Sequence, residues 1–375
     1  MTTISTAANP RGEGKLLGLE LVRFACAMMV LIYHYKHFAL IGGVSEISPA
    51  ALPFALPLSL VYGFGLYGVQ TFWCISDFIF YWKYADALAE RRVEPKRFFW
   101  LRFSRLYPLH FVTLMIVAGL QPLYTSLAGQ PFIYGGNDPT SFVLHLFLAD
   151  QWAGTRALSF NGPIWSVSSE VIVYVGFFLL VRAFGRSRWV IGTAIGAGLW
   201  SMWSGNISPA LICGGYFFAG GAAAEFLRSD LFRRRPDRAR SFALLAVIAG
   251  IASAALFDLT SSDDLLATWL MLVAPPMIFL CAQEFRFLDR WQNGIQAAGN
   301  LTYSTYLIHF PIQLGVGILV MASGIRLPVG EAWFLLAYLA TCIVLGRVVF
   351  VRFEGPVQEW IRAATLNPKR ERITA

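Results

Sequence analysis

LLGLELVRFACAMMVLIYHYKHFALI, residues 16–41, decides the fold class, because an almost wholly apolar run of this length carries Glu20, Arg23, His34, Lys36 and His37. About 20 apolar residues suffice for a helix to cross the hydrocarbon layer, so the run reads as a membrane span. Arg23 and His34 stand eleven positions apart. At 100° and 1.5 Å per residue they fall on one helix face, about 16 Å apart along the axis. An ionisable group inside a span costs about 2.5–3.5 kcal/mol on insertion scales and usually faces a protein interior or a wet cavity with a function attached.

The rest of the 375 residues repeats that character: 57% are hydrophobic and 14% charged, and the mean hydropathy is +0.57. No soluble domain of ordinary size can be cut from such a chain. Apolar stretches long enough to span recur near 16–41, 58–82, 100–120, 164–184, 189–204, 207–227, 241–258, 264–282, 302–322 and 331–351. The expected fold is all-α, a polytopic integral membrane protein of about ten transmembrane helices. Residues 1–15, with Arg11 and Lys15, lack a small-residue cleavage pattern, so 16–41 reads as a retained helix and not a signal peptide. The chain divides into an N-terminal segment 1–15, a transmembrane unit 16–355 and a C-terminal tail 356–375.

Arginine and lysine in short loops stay on the cytoplasmic side. Lys83, Arg91, Arg92, Lys96, Arg97, Arg102 and Arg105 follow the second span, Arg182, Arg186 and Arg188 the fourth, and Arg228, Arg233, Arg234, Arg235, Arg238 and Arg240 the sixth. Residues 42–57 carry no lysine or arginine and 121–163 only Arg156, while Asp258, Asp263 and Asp264 follow the seventh. An even number of spans with both termini cytoplasmic satisfies this pattern. The net charge of +8 is then mostly topological and calls for a bilayer, with an anionic lipid or cofactor at the densest clusters, and for no nucleic acid. The five cysteines (Cys26, Cys74, Cys213, Cys281 and Cys342) are scattered through apolar runs, which argues against a disulfide framework and against a thiolate metal site. No metal is expected. The segment 121–163 is the long non-cytoplasmic connection and the natural lid or acceptor platform.

Five constellations can carry chemistry. Arg23 and His34 come with Glu20 one turn before and His37 one turn after; a neutral imidazole in the membrane can take a proton from a hydroxyl, or it can serve as a hydrogen bond between helices. Arg102-Phe-Ser-Arg105-Leu-Tyr107-Pro108 presents two guanidinium forks that suit the phosphates of a nucleotide-like cofactor, or simply anchors the cytoplasmic end. Asn161-Gly-Pro-Ile-Trp165-Ser166-Val-Ser-Ser169-Glu170 is a turn into the fourth span, with Ser166 and Glu170 on one face. Glu170 either orients His34 or meets an acceptor hydroxyl, or it forms a structural ion pair. Thr302, Tyr306 and His309 follow a 0, 4, 7 spacing that lines one face with hydroxyls and an imidazole. Phe353-Glu354-Gly-Pro356 reads as little more than a capped helix end.

In this order, the motifs R-x10-H, G-V-x-x-F-W-x-I-S, R-x-x-R-x-Y-P, W-S-x-x-x-E, Y-S-x-Y-L-x-H and F-E-x-P resemble the acyltransferase-3 membrane acyltransferases from about residue 15 to 360. The resemblance implies transfer of an acyl group, acetyl or succinyl, from cytoplasmic acyl-coenzyme A to a hydroxyl of an envelope or secreted glycan, with some relatives acting on lipids, antibiotics or small molecules. It implies a bacterial inner membrane. It makes His34 the catalytic base, with Arg23 and Glu170 beside it. Arg102, Arg105 and Tyr107 would hold the donor, while Trp165, Ser166, Tyr306, His309 and Asp77 would meet the substrate. Tyr306, Ser166 or Arg23 would stabilise the oxyanion. Direct transfer and a covalent acyl intermediate both stand open, and oligomeric state is silent.

One position departs from the pattern: Ile75-Ser76-Asp77-Phe78 stands where such proteins usually show I-S-G-F. Asp77 adds a buried carboxylate that needs a proton or a cation, and a salt bridge to Arg23 is the expectation, against a specialised acceptor contact or an impairing substitution. The rival class is a polytopic transporter or binding protein for a sugar or small solute, without thioester chemistry. An acceptor-dependent release of coenzyme A separates the two.

Overall fold

The computed structural model describes residues 16–43, 48–152, 154 and 156–366, so Arg11, Lys15 and residues 367–375 of the terminal segments lie outside the described residues. The described residues form helices and connecting turns with no strand. In chain order the helices are α1 (Leu17–His34), α2 (Ala55–Phe64), α3 (Gly68–Ala89), α4 (Pro95–Ala128), α5 (Pro139–Leu146), α6 (Trp165–Phe184) and α7 (Arg188–Trp203). They continue as α8 (Pro209–Arg228), α9 (Asp230–Arg234), α10 (Pro236–Leu256), α11 (Asp263–Cys281), α12 (Gln292–Ser323), α13 (Ala332–Val349) and α14 (Gly355–Thr365). Eight helical segments among the described residues are long and apolar enough to cross a membrane. The remaining two expected stretches, 189–204 and 241–258, coincide with α7 and α10.

Local sequence sets the ends. Pro95 follows Glu94 at the first position of α4, where its missing N–H costs nothing, and Gly129 at φ 75° closes that helix in the left-handed region. Pro108 is therefore interior to α4, and the helix runs eight residues past the expected end at 120. The 121–163 connection is not all loop either: α5 sits inside it, begun by Asp138, whose carboxylate accepts from Ser141 N–H at 2.9 Å. That backbone N–H and the Ser141 hydroxyl hold the Asp138 carboxyl below its usual range.

The basic loops gather at one end of the bundle. Arg186, after α6, bonds both Glu225 oxygens on α8 at 2.7 Å and Asp86 on α3 at 2.8 Å, and Arg228 reaches the same Asp86 at 3.2 Å. The loops after the second, fourth and sixth expected spans thus share a side. Near this end an aromatic core of α3, α6 and α8 packs around Phe80, which stacks on Tyr174 at 4.6 Å. Toward the other end a second core joins Tyr35, Phe38, Phe132, Phe310 and Tyr338.

Between the cores, α1 and α12 run side by side in the same direction with one constant register. Arg23 Nη2 donates to Thr302 Oγ1 at 3.2 Å, and Gln313 Nε2 donates to the His34 carbonyl at 2.8 Å, both pairs 279 positions apart. Gly299 faces Glu20 at the same offset, and a Cβ there would collide with the Glu20 carboxylate, so this glycine makes room for the charge between the helices.

Candidate active site

A cavity of about 310 Å³ lies between α1, α3, α4, α6 and α12 on the side of the basic end. Its wall combines aromatic and aliphatic side chains with six charged ones, Arg23, Lys83, Arg102 and Arg105 together with Glu20 and Glu170. Arg23 is tied to Glu20 at 2.9 Å, one turn earlier on α1, which fixes its guanidinium toward α12. Glu170, five residues into α6, accepts from Tyr174 at 2.5 Å and is acted on electrostatically by Arg102 and Arg105.

Arg102 has no carboxylate within 4 Å among the described residues. Its guanidinium lies 4.5 Å from the Phe80 ring centroid and 5.7 Å from that of Tyr84, and its Nε is buried without an acceptor. Arg105 stands 3.9 Å from Glu354, whose other oxygen takes the Ser304 hydroxyl. The FEGP motif is therefore more than a helix end. Phe350–Glu354 form a π-helical turn just before Pro356, whose lack of an N–H breaks the regular ladder, and the turn brings the almost fully buried Glu354 to α4 and α12.

His34 does not line this cavity. It sits at the far end of α1 in a cluster of three imidazoles, its ring centroid 5.0 Å from those of both His37 and His309. His34 Nδ1 donates to the Val30 carbonyl at 2.9 Å and His309 Nδ1 to the Tyr306 carbonyl at 2.6 Å. A carbonyl accepts only, so each ring carries its proton on Nδ1 and keeps the Nε2 lone pair free. Gln313 uses its amide N–H₂ on His34 and Tyr338, which leaves its oxygen to accept His37 Nδ1 at 3.0 Å. His309 Nε2 is buried and unpartnered.

Tyr306 joins the two regions. It lines the cavity, its ring lies 5.9 Å from His309, and its hydroxyl donates to the Pro163 carbonyl at 2.7 Å with Ser166 Oγ at 2.9 Å. Asn161 anchors the same turn by donating to the Leu307 carbonyl at 3.1 Å.

Of the residues singled out in the sequence, Arg23, Arg102, Arg105, Ser166, Glu170 and Tyr306 meet at the cavity, and His34 and His309 lie together one side chain beyond. Trp165 packs edge-on against Trp73 at 5.6 Å. Tyr107 belongs to a stacked ladder on α4 between Phe103 and Phe111, away from the cavity wall. The expected bridge from Asp77 to Arg23 does not form: Arg23 bonds Glu20 and Thr302. Asp77 points instead at Gly221 of α8, with neither carboxyl oxygen hydrogen-bonded. Sequence reading missed Gln313, which continues the 0, 4, 7 stripe of Thr302, Tyr306 and His309 at position 11 and so carried a signal. It also missed the Glu354 partnership with Arg105 and Ser304, for which no local pattern exists.

Residues 16–350 match the family described as an acyltransferase domain. Over 339 residues the chain is 26% identical to "Acyltransferase MdmB" of Streptomyces mycarofaciens, covering 78% of this chain and 80% of that protein. No solved structure matches the chain.

Proposed function

The chain belongs to the acyltransferase-3 family of membrane acyltransferases, and from that premise we propose that it transfers an acyl group from acyl-coenzyme A to a hydroxyl of an envelope or secreted glycan, with His34 as general base. Acetyl is the first acyl group to test and succinyl the second. In this reading α7 and α10 complete ten spans, both termini are cytoplasmic, and the membrane is the inner membrane of a bacterium. The basic end is then the donor side.

The observation that carries the proposal is the polar column through the bundle: an arginine-rich cavity at the basic end, Tyr306 in its wall, and an imidazole cluster behind Tyr306 whose free Nε2 atoms can accept a proton. Arg102 and Arg105 hold donor phosphates at the cavity, and the thioester arm passes Tyr306 toward His34. The acceptor arrives from the opposite end, where Tyr134 of the connection 121–163 meets His37 edge-on at 6.0 Å. The acceptor oxygen attacks the thioester carbonyl as its proton passes to His34 Nε2. Arg23, Ser166 or Tyr306 meets the oxyanion. Collapse breaks the C–S bond, and the imidazolium returns the proton to the departing thiolate, so that an ester and free coenzyme A leave. Glu170 holds the local charge of Arg102 and Arg105 at the donor side.

The test is release of free coenzyme A from acetyl- and succinyl-coenzyme A by purified protein, with and without glycan acceptors. Acceptor-dependent release that His34→Ala abolishes supports the proposal. Solute accumulation into vesicles without thioester consumption would replace it with a carrier.

A further inference from the structure

The basic end holds a guanidinium that the proposed donor site has not used. Arg362, on α14, donates through Nε to Ser104 Oγ at 3.2 Å. Ser104 is buried on α4 between Arg102 and Arg105. Both of those guanidiniums repel the Arg362 charge. Among the described residues no carboxylate lies within 4 Å of Arg362, Arg102 or Lys83, and Arg105 has only Glu354, at 3.9 Å. Arg362 thus brings a third guanidinium, from a second helix, to the turn of α4 that carries Arg102 and Arg105. Five cations (Arg23, Lys83, Arg102, Arg105 and Arg362) gather there against Glu20, Glu170, Glu354 and the exposed Glu359.

A cluster in which cations outnumber carboxylates attracts an anion. One observation points to where the anion sits: Arg102 Nε is buried, belongs to a side chain lining the cavity, and lacks an acceptor. The position of α14 is itself fixed, because Glu354, at the turn that begins it, is held by Arg105 and Ser304. Arg362 stands outside the cavity wall, and its bond to Ser104 holds the third fork against α4 before any ligand arrives.

We propose that Arg362 is a third phosphate-binding residue of the donor site, and that α14 is part of that site. This rests on the acyl-coenzyme A reading of the basic cavity. The ligand chemistry it fits is a donor bearing phosphates at more than one place, an ester phosphate as well as a pyrophosphate, since guanidinium forks converging from two helices bind separated phosphates better than a single one.

The experiment uses the full chain in nanodiscs and measures binding of 3′-phosphoadenosine 5′-diphosphate alongside kinetics with acetyl-coenzyme A and S-acetylpantetheine. Arg362→Gln should weaken the nucleotide about tenfold and raise KM for acetyl-coenzyme A by a similar factor with kcat unchanged, as expected for loss of one charge-assisted contact. The same variant should leave S-acetylpantetheine turnover as it was, and Arg362→Lys should recover part of the loss. Equal nucleotide binding by the wild type and Arg362→Gln, with binding lost in Arg102→Gln, overturns this inference and leaves the donor reading standing. No nucleotide binding by the wild type overturns both. An equal loss with the phosphate-free donor, or a fall in melting temperature that Arg362→Lys reverses, would make Arg362 a packing residue. A defect confined to nanodiscs of anionic lipid and absent in phosphatidylcholine would assign its phosphate to a headgroup.

Discussion

At the basic end of α1 the polar groups are charged and meet charge: Arg23 with Glu20, Arg105 with Glu354, Glu170 under the field of Arg102 and Arg105. At the far end of the same helix the three imidazoles meet only carbonyls and one amide, through His34 to Val30, His309 to Tyr306 and His37 to Gln313. The parallel register of α1 and α12 makes the contrast sharp, since one pair of helices supplies both environments, with Thr302 opposite Arg23 and Gln313 opposite His34. Ion pairs at one end give a place for a ligand that carries its own charge. Neutral acceptors at the other end fix imidazole tautomers without charging them, which suits a proton acceptor. A single span can therefore divide binding from chemistry by depth.

The largest expected effect breaks that division if it is wrong. His34→Gln should lower kcat for coenzyme A release about a thousandfold with KM little changed, the loss ordinarily seen when a general base is removed. Arg102→Gln should do the reverse and act mainly on KM. If both variants moved the same constant, binding and chemistry would not be separated along α1.

Next in size is Glu354→Ala, which bears on how the charged end is built. It removes the carboxylate between Arg105 and Ser304 and leaves Glu170 to balance a guanidinium that also repels Arg362. Because Arg105 is 26% exposed and 3.9 Å away, the expected destabilisation is about 2 kcal/mol, below the range for a fully buried pair. Chemical denaturation in detergent measures it. Restoration of stability by 3′-phosphoadenosine 5′-diphosphate would tie the defect to unbalanced positive charge.

Much of this division was legible in the sequence, and its gaps have physical causes. Spans showed because hydrocarbon demands long apolar runs, and the stripe of Thr302, Tyr306 and His309 showed because a helix repeats its face every three or four residues. Partners distant in the chain left no such trace: nothing local says that Glu354 finds Ser304, 50 positions away, or that Gln313 finds the carbonyl of His34, 279 positions away. Asp77 is the instructive failure. Arg23 is its natural partner by charge alone, yet helix packing aims Asp77 at Gly221 and gives Arg23 to Glu20. A buried carboxyl group without a partner costs about 1–3 kcal/mol, so Asp77→Ala should raise stability by about 1 kcal/mol after the loss of packing, with kcat and KM unchanged. A fall in donor affinity would instead return Asp77 to the charged end of the comparison.

The smallest effect concerns the cap over the neutral end. His145, on α5 outside the spans, bonds Ser159 Oγ through Nε2 at 2.9 Å and stacks on His110 at 6.5 Å. Burial lowers its imidazole from the ordinary value, opposed by the nearby Asp150 carboxylate. The unfolded chain therefore takes up a proton at this position before the folded chain does. Its contribution to stability is complete above about pH 6.5 and is lost as pH falls through that value toward the lowered one, with a slope no steeper than about 1.4 kcal/mol per pH unit for one proton. Melting temperatures of the wild type and His145→Gln between pH 5 and 7.5 report that contribution together with its effect on the stacked His110 ring. The gap between the two curves should change on the acid side of that range and stay constant above it. A constant gap throughout would mean that His145 titrates alike folded and unfolded, and that the cap contributes nothing to keeping the neutral end neutral.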